Sequence, residues 1–181
     1  MMKTKQSTGL FWVQNYLTWI LYGVGALLFA LIQAAPRFLP TIANARPAPL
    51  ILLAVCVAML EGPRVGAAVA VLAGLLWDMY SFHVFGLNAI LLLSIAVAVG
   101  LLVEWFLRSN FLSAMVLCVG GVLVHTLLEW LLCYALFLHE ETGSILLKVY
   151  LPNALYTILL APFVYGLVLT TARFLRRRKN G

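Results

Sequence analysis

A few polar side chains sit where chemistry could be done. Asp78 lies within "GLLWDMYSFHVFGLNAILLL" (74–93), His125 and Glu129 open and close "HTLLE", and Asn153 lies in "LPNALYTILLAP". His125 and Glu129 are four residues apart, so a helix puts both on one face. With Asp78 at similar depth, they could hold a divalent cation or pass protons. The competing reading is a buried polar pair that locks two helices together, and no HExxH-type spacing favours the metal. Asp78 has two readings as well. It contacts a ligand or partner directly, or it hydrogen-bonds local backbone and fixes the turn into the next apolar run, with Ser81 and Asn88 joining that network. A nucleophile–base motif, a phosphate-cradling glycine loop and carboxylates paired on one face are all missing, so catalysis finds no support. The cysteines Cys56, Cys118 and Cys133 lie in apolar runs without CxxC spacing and read as small buried hydrophobes. No metal or cofactor is expected.

The solvent decides what these groups mean. The chain has 181 residues, is 64% hydrophobic, and carries 12 basic and 6 acidic residues. A soluble domain devotes about a quarter of its residues to charge. Charges this sparse cannot cover a water-exposed surface, so the outer surface should meet lipid. A carboxylate at mid-bilayer costs about 2.5–3.5 kcal/mol on insertion scales, which makes Asp78 a functional candidate by default.

Six apolar runs follow. The first spans Leu10–Pro36 behind Lys3 and Lys5, an order that signal peptides share. It exceeds the usual core of about 7–15 residues and reads as a retained helix. The second, Ala48–Leu60, is short and ambiguous between a span and a re-entrant segment. The third starts at Val65 and should continue to about Phe82, taking Asp78 with it. The others are Gly86–Val103, Phe111–Leu138 and about Ile145–Ala172. All are continuously apolar rather than alternating, which predicts helices instead of barrel strands. The expected fold is an all-α integral membrane protein, a six-transmembrane-helix bundle in a single domain over 1–181. Segments 1–9 and 173–181 form short basic ends.

Charge placement fits six spans. With both termini in the cytoplasm, the inside set is Lys3, Lys5, Arg64, Arg108, Arg173, Arg176, Arg177, Arg178 and Lys179, against Arg37, Arg46 and Lys148 outside. That obeys the positive-inside rule. Arg176, Arg177, Arg178 and Lys179 either anchor the topology or contact anionic lipid. Nucleic-acid binding lacks any folded module around this patch. Ala26, Ala30 and Ala34 repeat every fourth residue, as do Gly62, Gly66 and Ala70. Such small-residue ridges allow close helix approach, internally or with another protein. Pro152 and Pro162 should interrupt regular hydrogen bonding in the last span, as a packing kink or beside a substrate site.

"GP…G" at Gly62, Pro63 and Gly66, "AGLLWDMYS" at 73–81 and "FGLNAILLL" from Phe85 together resemble the MreD family of rod-shape-determining proteins. Gly74, Leu75, Asp78, Ser81, Gly86, Leu87 and Ala89 fit its central pattern, and Phe82 stands where glycine is usual. "ALIQAAPRFLP" and "LPNALYTILLAP" extend the likeness over most of the chain. The resemblance implies a non-enzymatic scaffold of the bacterial cell-elongation machinery in the inner membrane, helping to position peptidoglycan synthesis. It implies a bitopic MreC-like partner, alongside MreB, the elongation transpeptidase and RodA. The implied fold is similar to the substrate-binding subunits of energy-coupling-factor transporters. The rival function is therefore a small-molecule-binding transporter subunit, which needs an outward cavity lined by Asp78, His125, Glu129 and Asn153.

Overall fold

The computed structural model describes residues 5–35, 46–81, 85–106, 110–135 and 149–180, with side chains of the first helix from Leu17 and of the last to Arg177. Among these residues lie six helices: α1 (Lys5–Ala34), α2 (Pro49–Glu61), α3 (Pro63–Asp78), α4 (Leu87–Trp105), α5 (Phe111–Trp130) and α6 (Leu151–Asn180). A π-helical turn, Leu131–Ala135, prolongs α5. No strand occurs among the described residues. The protein is an all-α, multi-pass membrane protein.

Helix α2 lies at the centre. Every residue from Pro49 to Met59 is buried, and α1, α3, α4, α5 and α6 all pack against it. Leu, Ile, Val, Ala, Cys and Met occupy its whole circumference, the composition of a helix that meets no water and no lipid. The short second run thus forms the sheathed helix Pro49–Glu61. At about 1.5 Å per residue, α2 is about 20 Å long and α3 about 24 Å, less than a hydrocarbon core of about 30 Å. Among the described residues, four helices are long and apolar enough to cross a membrane by themselves: α1, α4, α5 and α6. Only Gly62 separates α2 from α3. Its φ of 91° belongs to the left-handed region that glycine tolerates. The turn folds α3 back so closely that a Cβ on Gly66 would lie 2.4 Å from the Ala58 backbone.

Contacts between helix ends fix the directions. The Arg176 guanidinium donates to the Leu60 carbonyl at 2.7 Å. At the other end, the Arg46 N–H donates to Asn153 Oδ1 at 2.7 Å and the Ala48 N–H to Thr157 Oγ1 at 2.9 Å. Helices α2 and α6 therefore run parallel. Gly100 meets Pro63 while the N-terminus of α4 meets Asp78, so α3 and α4 are antiparallel. The chain alternates up and down, and the start of α1 lies at the same end as the finish of α6.

Several expectations need correction. The third run does not continue to Phe82, because α3 ends at Asp78, whose carboxylate turns to the next helix. Pro152 interrupts nothing. It sits in the first turn of α6, where its missing N–H would lack an intrahelical acceptor anyway. Pro162 lies inside the helix. Helix α6 runs on through the basic residues as far as Asn180. The small-residue ridges face inward: Ala26, Ala30, Gly66 and Ala70 are buried, whereas Ala34 is exposed and Gly62 forms the turn. Lys3, Arg37, Phe82, Arg108 and Lys148 lie outside the described residues, and Lys5, Arg178 and Lys179 are described as helix backbone alone.

The bundle's outside is studded with large apolar side chains, including Ile20, Leu28, Ile90, Val116, Leu159 and Phe163. In water this would be an aggregating surface. In lipid it is the ordinary solvent face, and helices satisfy the backbone there. Cys56 and Cys118 are buried free thiols whose sulfurs lie 3.7 Å apart, and Cys133 is half-buried.

Candidate functional site

Helices α3 and α4 form the most extensive pair in the bundle, and the reason is local. A Cβ on Gly74 would lie 2.3 Å from the Ala89 Cα and 2.8 Å from the Asn88 carbonyl carbon. Hydrogen at that position lets the two backbones touch. One turn later comes Asp78, only 3% exposed. Its Oδ2 accepts from the Gly86 N–H at 2.9 Å and the Ala89 N–H at 3.3 Å. Oδ1 accepts from the Asn88 N–H at 3.2 Å and from Asn88 Nδ2 at 2.9 Å. A helix leaves its first N–H groups unpaired, and its dipole favours an anion there. Asp78 thus caps α4 from the end of α3. Gly86 takes a φ of 94° to turn the chain into that position.

Ser81 does not join this network. Its N–H bonds the Trp77 carbonyl at 3.1 Å, and Ser81 lines a neighbouring cavity instead. The cavity measures about 430 Å³ and lies where α1, the 46–48 segment, the end of α3, α5 and α6 meet. His125, Glu129 and Asn153 line it, but Asp78 does not. His125 is 1% exposed, and its ring stacks on Trp77 with centroids 5.1 Å apart and planes 13° from parallel. His125 Nδ1 lies 3.7 Å from Glu129 Oε2, an electrostatic contact longer than a hydrogen bond. Asn153 is engaged in the clamp: its Oδ1 accepts from Arg46, and its carbonyl accepts from the Thr157 hydroxyl at 2.7 Å.

The cavity wall is unusual in what it leaves unpaired. Gln33 Oε1, Tyr80 OH, Ser81 Oγ and His125 Nε2 are buried without a hydrogen-bond partner, and all four residues line the cavity. Asn88 Oδ1, on the Asp78 side, also lacks one. Buried polar atoms without partners are costly and rare in folded proteins. Among the described residues, no group of three or more His, Cys, Asp or Glu side chains is placed to hold a metal ion. Asp78 is engaged with α4 and does not complete a set with His125 and Glu129.

Sequence reasoning singled out His125, Glu129 and Asn153 but missed Gln33, Trp77, Tyr80 and Thr157. Gln33 lies in α1, Trp77 in α3 with Tyr80 just beyond its end, and Thr157 in α6, each a polar or aromatic residue inside or beside an apolar run. The usable signal was Gln33 and Thr157, uncharged polar groups within spans, which call for a partner.

A family model described as rod shape-determining protein MreD matches residues 13–170. Among curated proteins and among solved structures, no match is found.

Proposed function

Because this chain belongs to the MreD family of rod shape-determining proteins, we propose that it is a membrane scaffold of the bacterial cell-elongation machinery. It sits in the inner membrane with both termini in the cytoplasm. It binds the transmembrane helix of an MreC-like bitopic protein and so helps to position peptidoglycan synthesis, with MreB, the elongation transpeptidase and RodA as further associates.

The carrying observation is the role of the central motif. Gly74, Asp78 and Gly86 fasten α3 to α4, through backbone contact, a carboxylate cap and a left-handed turn. A motif that holds helices suits a protein whose product is a shaped surface. The small-residue ridges are already filled by internal packing, so a partner helix meets the large apolar side chains of the outer face.

Affinity purification of the tagged chain from mild detergent tests this reading. An MreC homologue is expected to co-purify. Recovery of the chain alone from cells that make that homologue would overturn the scaffold proposal.

A second reading has a specific observation behind it. The cavity supplies the polar pocket that a small-molecule-binding membrane subunit needs, as in the energy-coupling-factor substrate subunits that the fold is expected to resemble.

A further inference from the structure

We infer that the cavity among α1, α3, α5 and α6 is a binding site for a small solute bearing a primary amine. The inference takes up the second reading and names its ligand class. It does not depend on the scaffold role.

The cavity's size is the first support. About 430 Å³ falls within the range of small-molecule sites, and the lining mixes apolar wall with a few polar groups. Buried atoms without partners are the second. Where buried polar atoms are normally paired, four unpaired ones around one space require something to occupy it.

Their chemistry then selects the occupant. Gln33 Oε1 can only accept a hydrogen bond. The Glu129 carboxylate facing His125 Nδ1 favours the tautomer with its proton on that nitrogen, which leaves Nε2 as an acceptor. Glu129 itself is the only acid among the described lining residues, and His125 at 3.7 Å gives it no hydrogen bond. The Tyr80 and Ser81 hydroxyls can adapt to either role. Two acceptors and two adaptable hydroxyls around one carboxylate favour a donor-rich cation. An ammonium group has three donors and no acceptor, and two aromatic residues of the kind that attract cations, Trp77 and Tyr80, line the same cavity. Arg46 also lines the cavity, but it is exposed, so water screens its charge.

Three four-carbon solutes separate charge from shape: 1,4-diaminobutane, 1,4-butanediol and succinate. The full chain, in nanodiscs in amine-free phosphate buffer, is titrated with each up to roughly 10 mM while thermal unfolding is followed; a ligand of the folded state raises the midpoint by mass action. The diamine is expected to raise the midpoint and to bind about tenfold or more tighter than the diol, as a charged hydrogen-bond partner requires. Glu129→Gln is expected to erase that preference, Tyr80→Phe to weaken it, and Glu104→Gln, outside the cavity, to leave it intact. Equal binding of diamine and diol, a preference for succinate, no shift with any solute, or a preference that survives in Glu129→Gln would each overturn the assignment. Because the wild-type comparison needs no variant, a misfolded mutant does not obscure the result. The co-purification outcome is independent of all of these.

Discussion

Asp78 is tolerated in an apolar chain because its carboxylate is fully occupied. Backbone N–H groups of Gly86, Asn88 and Ala89 and the Asn88 amide surround it. Replacing it with Ala would strand those donors at a buried site. Asp78→Ala should therefore destabilise the protein by about 2–3 kcal/mol, and Asp78→Asn, which keeps an acceptor, by roughly half as much. Thermal unfolding in mild detergent measures both. If Asp78 served a ligand instead, its removal would leave the unfolding midpoint unchanged. A paired test concerns glycine. Gly74→Ala drives a methyl into the α4 backbone and should cost about 2 kcal/mol or more. Gly120→Ala meets nothing within 4 Å and should stay within about 0.5 kcal/mol of wild type. The capping role of Asp78 was legible in the sequence as one of two readings, since a carboxylate before a turn and an apolar run has few local partners. The absence of Ser81 from that network was not legible. It depends on how α3 ends, which spacing alone does not fix.

At the scale of elements, the runs of apolar residues located each of the six helices among the described residues, while their ends came out differently. Continuous hydrophobicity marks a helix in lipid but cannot tell a lipid-facing one from a sheathed one. Helix α2 shows the difference: its shortness and lack of any polar residue before Glu61 are the marks of a core helix. The close fit around it gives a prediction. A Cβ on Gly121 would lie 2.8 Å from Val55 Cγ2. Gly121→Ala should cost about 1–3 kcal/mol by overpacking, and Val55→Ala in the same chain should recover part of that loss. Denaturation of the single and double variants gives the coupling energy directly. The end of α6 offers another contrast. Arg176 holds the Leu60 carbonyl at the C-terminus of α2, which a tail read simply as a basic patch would not reveal. Arg176→Ala should lower stability in lipid-free detergent by up to about 1 kcal/mol, with Arg177→Ala near neutral.

For the whole molecule, composition pointed to lipid as the solvent, and six helices with an apolar outer face agree with it. The contacts at both ends of α2 and α6 make these two helices parallel. What composition left open is how the bundle meets other molecules. The small-residue ridges read as internal packing or as a docking face, and Ala26, Ala30, Gly66 and Ala70 are buried within the bundle. The cavity was legible only in part: His125, Glu129 and Asn153 stood out as polar residues, but the rest of the lining is gathered from several helices. Work by the sides of the helices, rather than by a reactive group, is the central claim, and photo-crosslinking in the membrane tests it most directly. A crosslinking amino acid is placed singly at Leu28, Ile90, Val116 and Leu159, all more than half exposed on different helices, and at fully buried Val55 as a control. At least one exposed position, and not Val55, should capture a single-span MreC homologue in intact cells. Capture from none of the four faces would contradict the claim.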